Sequence, residues 1–73
     1  MIAVSFQYRG GQILCLYTDC YPSYHKGDII WLQDSNHDLA LTKFRVRRIE
    51  YSVTRYPQND IEQMFVYLVL APS

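Results

Sequence analysis

Apolar and polar residues alternate along most of the chain, and a period of two marks a strand with one buried and one wet face. Ile2, Val4, Phe6 and Tyr8 share one parity, while Ala3, Ser5, Gln7 and Arg9 share the other. Gly10-Gly11 follows as a two-residue turn, since glycine admits the positive φ angles of a tight hairpin. The next run, Gln12 to Thr18, is apolar on both parities, which predicts a more central strand. Residues 19–28 are punctuated by Pro22 and Gly27 and read as a loop.

A third strand begins at Ile29-Ile30-Trp31-Leu32, and composition alone assigns Trp31 to the core. Asp34-Ser35-Asn36-His37-Asp38 is a polar turn, because such side chains bond their own backbone. The fourth strand runs from about Leu39 to Thr54. Thr42, Phe44 and Val46 are even-numbered, but the apolar set then becomes odd: Ile49, Tyr51, Val53. A one-residue change of parity inside a strand is what a β-bulge produces, so the bend is predicted at Arg47-Arg48. Residues 55–60 form the last turn, and Glu62 to Leu70 is the fifth strand.

Five short strands, short connections and one bent long strand predict an all-β fold: a small five-stranded antiparallel barrel occupying residues 1–73 as one domain. The stretch Lys26-Gly27-Asp28-Ile29-Ile30, followed by Phe44-Arg45-Val46-Arg47-Arg48-Ile49, resembles the loose pattern of many SH3-like barrels over residues 26–51. The resemblance is one of architecture, with an OB-like barrel as the alternative. The Ala-Leu-Tyr-Asp-Tyr motif and the Trp-Trp pair of signalling SH3 domains are absent, so binding of proline-rich peptides is not implied.

With 73 residues, a fold of this size hides only about 60% of the surface of its unfolded chain. Hydrophobic residues make up 49% of it, enough to leave the disordered regime. The longest apolar stretch, Phe65 to Ala71, falls short of the ~20 residues of a membrane helix. The N-terminus lacks the basic start and apolar run of a signal peptide. Cys15 and Cys20 would lie about 16 Å apart along an extended strand, beyond disulfide reach. A reduced, cytoplasmic protein without membrane association is expected. Many very short β-rich reading frames belong to phages or other mobile elements, and such an origin is the expectation here.

Seven basic and seven acidic residues cancel, which excludes a polybasic role, but they are segregated. Residues 19–38 hold Asp19, Asp28, Asp34 and Asp38 against Lys26, a net charge of −3. Residues 43–55 hold Lys43, Arg45, Arg47, Arg48 and Arg55 against Glu50, a net charge of +4. Lys43, Arg45 and Arg47 share one parity, a row spaced by about 6.6 Å that is close to the phosphate repeat of an extended nucleic-acid strand. Tyr51 and Tyr56 are the nearest stacking platforms in sequence. The ordinary reading is a solvated face, or a basic strand neutralised by the acidic loops.

Tyrosine joins an apolar ring to a polar tip and is enriched where proteins meet, and this chain has seven. Tyr21 and Tyr24 flank Pro22 in a loop, where burial explains them least, whereas Tyr8, Tyr17 and Tyr67 belong to strand packing. Trp31, if exposed, is the first candidate for a binding hot spot. Cys20, His25 and His37, with Asp28 or Asp38, match no tight zinc spacing. Cys20 and His25 lack the orienting group and oxyanion hole of a nucleophile–base pair. Gly10-Gly11 lacks the helix that a phosphate cradle needs. No catalytic residue, metal or cofactor is therefore expected. The expectation is a non-enzymatic protein-interaction module binding a protein partner or a second copy of itself as a homodimer. The alternative is a weak nucleic-acid binder using residues 43–55.

Overall fold

The computed structural model describes residues 1–33, 41–55 and 60–72. Five strands form one mixed sheet that curls into a half-barrel: β1 (Ile2–Tyr8), β2 (Gly11–Thr18), β3 (Ile29–Gln33), β4 (Leu41–Arg55) and β5 (Asp60–Leu70), ordered β2-β1-β5-β4-β3. The alternation of β1 places Ile2, Val4 and Phe6 in the core. Phe44, Val46, Met64, Val66 and Leu68 meet them from β4 and β5.

Three neighbouring pairs are antiparallel, but β1 and β5 run parallel, from Ile2 opposite Glu62 to Tyr8 opposite Leu68. The expected all-antiparallel sheet therefore gives way where the β1–β2 hairpin docks against the β3–β4–β5 meander. No turn joins those two units, so no local signal sets their relative direction. β2 and β3 stand at opposite edges, and no pairing joins them among the described residues, so neither an SH3-like nor an OB-like closure follows from this order.

Two further expectations are corrected at the first hairpin. The turn residues are Arg9 and Gly10, both with positive φ (52° and 77°), and Gly11 already pairs with Tyr8. Positive φ at both positions is the type I′ geometry that matches strand twist. β2 is an edge strand and not a central one. Its double-sided apolar pattern comes from a bulge: Phe6 pairs with Leu14 and Gln7 with Gln12, leaving Ile13 as the extra residue. Consecutive Ile13 and Leu14 both pack against the core as a result.

The predicted bulge in β4 is present, with Val46 opposite Leu68 and Arg48 opposite Tyr67. β3 flanks only Leu41–Arg45, so β4 has a free edge beyond Val46. β1 flanks β5 from Glu62 to Leu68, and only Thr54, Arg55, Asp60 and Ile61 extend past both flanking strands as a short arm. The molecule is 46 Å long with a radius of gyration of 13.1 Å. A compact domain of this length would have about 11 Å. The polar turn expected at 34–38 lies outside the described residues, as do residues 56–59 of the turn expected at 55–60. The ends of that second turn, Arg55 and Asp60, instead pair with each other as strand residues of β4 and β5.

The connection from β2 to β3 crosses the inner face of the sheet. Tyr24 sets its ring edge-on against Phe6, at 5.8 Å between centroids, and so covers the core from the open side. Tyr24 is thus a packing residue and not a free surface ring.

Candidate functional site

The ladder of β3 with β4 pairs Trp31 with Lys43 and Ile29 with Arg45. Phe44 and Ile30, one residue along each strand, face the core, so these four side chains share the outer face. Trp31 is 58% exposed, which corrects its assignment to the core. A signal for this existed in the sequence, because Trp31 shares parity with Gln33, whereas Ile30 and Leu32 carry the buried parity.

The row of cations expected along β4 is broken by the bulge. Lys43 and Arg45 keep the outer face, Arg47 becomes the extra residue with no partner on β5, and Arg48 takes the next outer position opposite Tyr67. Arg48 is engaged within the protein. Its guanidinium lies 4.3 Å from the centre of the Tyr67 ring and 3.4 Å from Glu50 Oε1, while the Tyr67 hydroxyl donates to Glu50 Oε2 at 3.1 Å. Arg55 is exposed near the tip of the arm, about 30 Å along the strand from Arg45.

The β2–β3 connection adds a cation that sequence spacing did not single out. His25 to Asp28 form a turn in which the Asp28 amide donates to the His25 carbonyl at 3.0 Å, and Gly27 takes a φ of 96°. Positive φ at the third position of a turn favours glycine. The turn is clamped to the bulge by two backbone bonds of 2.8 Å, from the Gly27 amide to the Val46 carbonyl and from the Val46 amide to the Asp28 carbonyl. Lys26, Gly27, Arg45, Val46 and Arg47 consequently line one open depression of about 450 Å³. A second, of about 350 Å³, lies between Arg47, Arg9 and Tyr8.

Neutralisation by the acidic loop is not seen among the described residues. Asp28 accepts from the His25 amide at 2.8 Å and lies 3.9 Å from His25 Nδ1, and Glu50 is held by Arg48 and Tyr67. No described carboxylate pairs with Lys26, Lys43, Arg45 or Arg47.

The aromatic partners proposed from sequence proximity are redistributed. Tyr51 pairs with Met64 on the inner parity, away from the cations, and meets Tyr21 edge-on at 5.2 Å. The Tyr21 hydroxyl is pushed above the ordinary tyrosine pKa, first by desolvation, then by the Glu62 carboxylate and by Tyr51. Tyr56 lies outside the described residues. Tyr8 packs edge-on against Phe44, whereas Tyr17 is 69% exposed and not a core ring. Tyr21, Tyr24 and Trp31 therefore do not form one patch: the first two lie on the inner side and Trp31 on the outer.

Cys20 and His25 are both exposed, and among the described residues no three potential metal ligands converge. His37 and Asp38 lie outside those residues. Comparison of the chain with protein-family models, curated proteins and solved structures finds no match.

Proposed function

We propose that this chain is a non-enzymatic protein-interaction module that works as a homodimer, joined through the free edge of β2. The observation that carries this reading is the chemistry of that edge. Its eight residues, Gly11 to Thr18, contain no charge and no proline. Edge strands of monomers are normally guarded by such residues, because unpaired backbone groups recruit another strand. A second copy supplies the same edge, and antiparallel pairing about a two-fold axis is self-complementary. Leu16 and Tyr17, 46% and 69% exposed on opposite sides of the strand, would then be covered together.

The surface points the same way. Among the described residues eleven large hydrophobic side chains are exposed against nine in the core. The accessible area is 5338 Å², where a compact monomer of this mass exposes about 4700 Å². The excess of roughly 600 Å² approaches the ~800 Å² that each partner contributes to a standard interface. A cytoplasmic setting belongs to the same reading, since Cys15 and Cys20 are both free thiols.

Sedimentation equilibrium tests it. The expected species is twice the chain mass of 8.7 kDa. Leu16→Lys with Tyr17→Lys should give a folded monomer, checked by circular dichroism. A wild-type chain that stays monomeric at roughly 0.1 mM, where an association of only about −5.5 kcal/mol is half formed, would overturn the proposal.

A further inference from the structure

We infer that the outer face of β3 and β4 binds single-stranded nucleic acid, with Trp31 stacking a base and Lys43, Arg45, Arg47 and Lys26 holding phosphates. This does not rest on self-association, because β2 and β3 occupy opposite edges of the sheet and pairing at one leaves the other free.

The ladder sets two parallel columns on one face: Ile29 and Trp31 on β3, and Arg45 and Lys43 directly across on β4. Opposed residues have Cβ atoms about 5 Å apart, and successive outer positions repeat every ~6.6 Å. An aromatic column beside a cationic column matches the two sides of an extended single strand, whose bases project from one edge of its phosphate backbone. The clamp between Gly27 and Val46 extends the cationic side, gathering Lys26, Arg45 and Arg47 around one depression. None of these four cations is neutralised by a described carboxylate, so their charge is free to displace counterions from phosphates. The exposed indole separates this ligand from a duplex, whose bases are already stacked and offer it no face. It also separates it from an acidic peptide, which would use the cations and leave the ring idle.

Trp31 is the single tryptophan of the chain, so its fluorescence reports this face alone. Titration with an oligothymidylate of about twelve nucleotides should quench that emission at low salt. With four phosphates neutralised, single-strand affinity should fall about fifty-fold between roughly 50 and 200 mM salt. Followed by anisotropy of a labelled strand, Trp31→Ala should weaken binding about ten-fold with an unchanged salt slope, the loss of one stacked base. Arg45→Gln combined with Arg47→Gln should instead lower the slope by about 1.4. Absence of binding at low salt overturns the inference. So does a duplex bound as tightly as the single strand, or a polyglutamate peptide that competes at equal charge, since either makes the contact purely electrostatic. A folded Trp31→Ala protein with wild-type affinity removes the stacking role and with it the assignment.

Discussion

The ring of Tyr24 stands at 73° to that of Phe6, so a residue of the longest described connection caps the most buried side chain of β1. Without it the concave side of the half-barrel would leave Phe6 facing water. A chain of this length has a total stability of roughly 4–11 kcal/mol, so one such contact matters.

Tyr24→Ala is expected to lower the unfolding free energy by about 2 kcal/mol in urea titration, the cost of removing a half-buried aromatic ring from a core. Tyr24→Phe should change it by less than about 0.5 kcal/mol, because the hydroxyl has no hydrogen-bond partner among the described residues. Equal losses from the two variants would contradict the packing role.

Arg9 holds a φ of 52° in the turn, a conformation that costs most side-chain-bearing residues about 1 kcal/mol. Arg9→Asn creates the Asn-Gly sequence preferred in type I′ turns and should raise stability by about 0.5–1 kcal/mol. A thermal midpoint that falls in this variant would show that Arg9 contributes more through its approach to Tyr8, 5.3 Å from the ring centre, than it loses to strain.

Arg48, Glu50 and Tyr67 form an exposed triad on the outer face. Glu50→Gln should shift stability by under 1 kcal/mol, and less in high salt, because both ends of the ion pair are half exposed. A double-mutant cycle of Arg48→Ala with Tyr67→Leu should return a coupling of about 0.5–1 kcal/mol for the guanidinium over the ring. Zero coupling would leave the pair a geometric coincidence.

The raised pKa of Tyr21 carries a pH dependence whose sign follows from linkage. Between the ordinary value of 10.0 and the raised one, the unfolded chain loses this proton while the folded chain keeps it. Stability therefore is fully present below pH 10 and declines as the pH rises through the folded value. Tyr21→Phe should make the alkaline fall shallower, as read from denaturation midpoints across that range. An identical fall in the variant would assign the loss to other groups.

Much of this fold is legible in the chain itself. The number and approximate extent of the strands, the alternation of core and outward positions in β1 and the parity switch after Val46 are local properties, because side-chain direction in a strand depends only on residue count. Ile2, Val4 and Phe6 are buried for that reason, and the bulge at Arg47 is announced by apolar residues moving from even to odd positions. The cations of β4 were equally plain, although Arg47 and Arg48 did not keep the regular spacing because the bulge that the pattern announces also displaces them.

What the chain could not announce depends on contacts between residues far apart in it. Whether β1 meets β5 in parallel, and whether β2 is central or an edge, follows from how two separately closed units dock. Ile13 and Leu14 read as a doubly buried strand until the Phe6–Gln7 bulge shows that both turn to one side. The candidate site follows the same rule. Tyr51 is near Arg48 in sequence but faces the core side, whereas Trp31, twelve residues before Lys43, stands directly across from it. Alternation determines which face of its own strand a residue occupies; only the pairing of strands decides which residues share that face, because register is set by the packed core of the whole sheet.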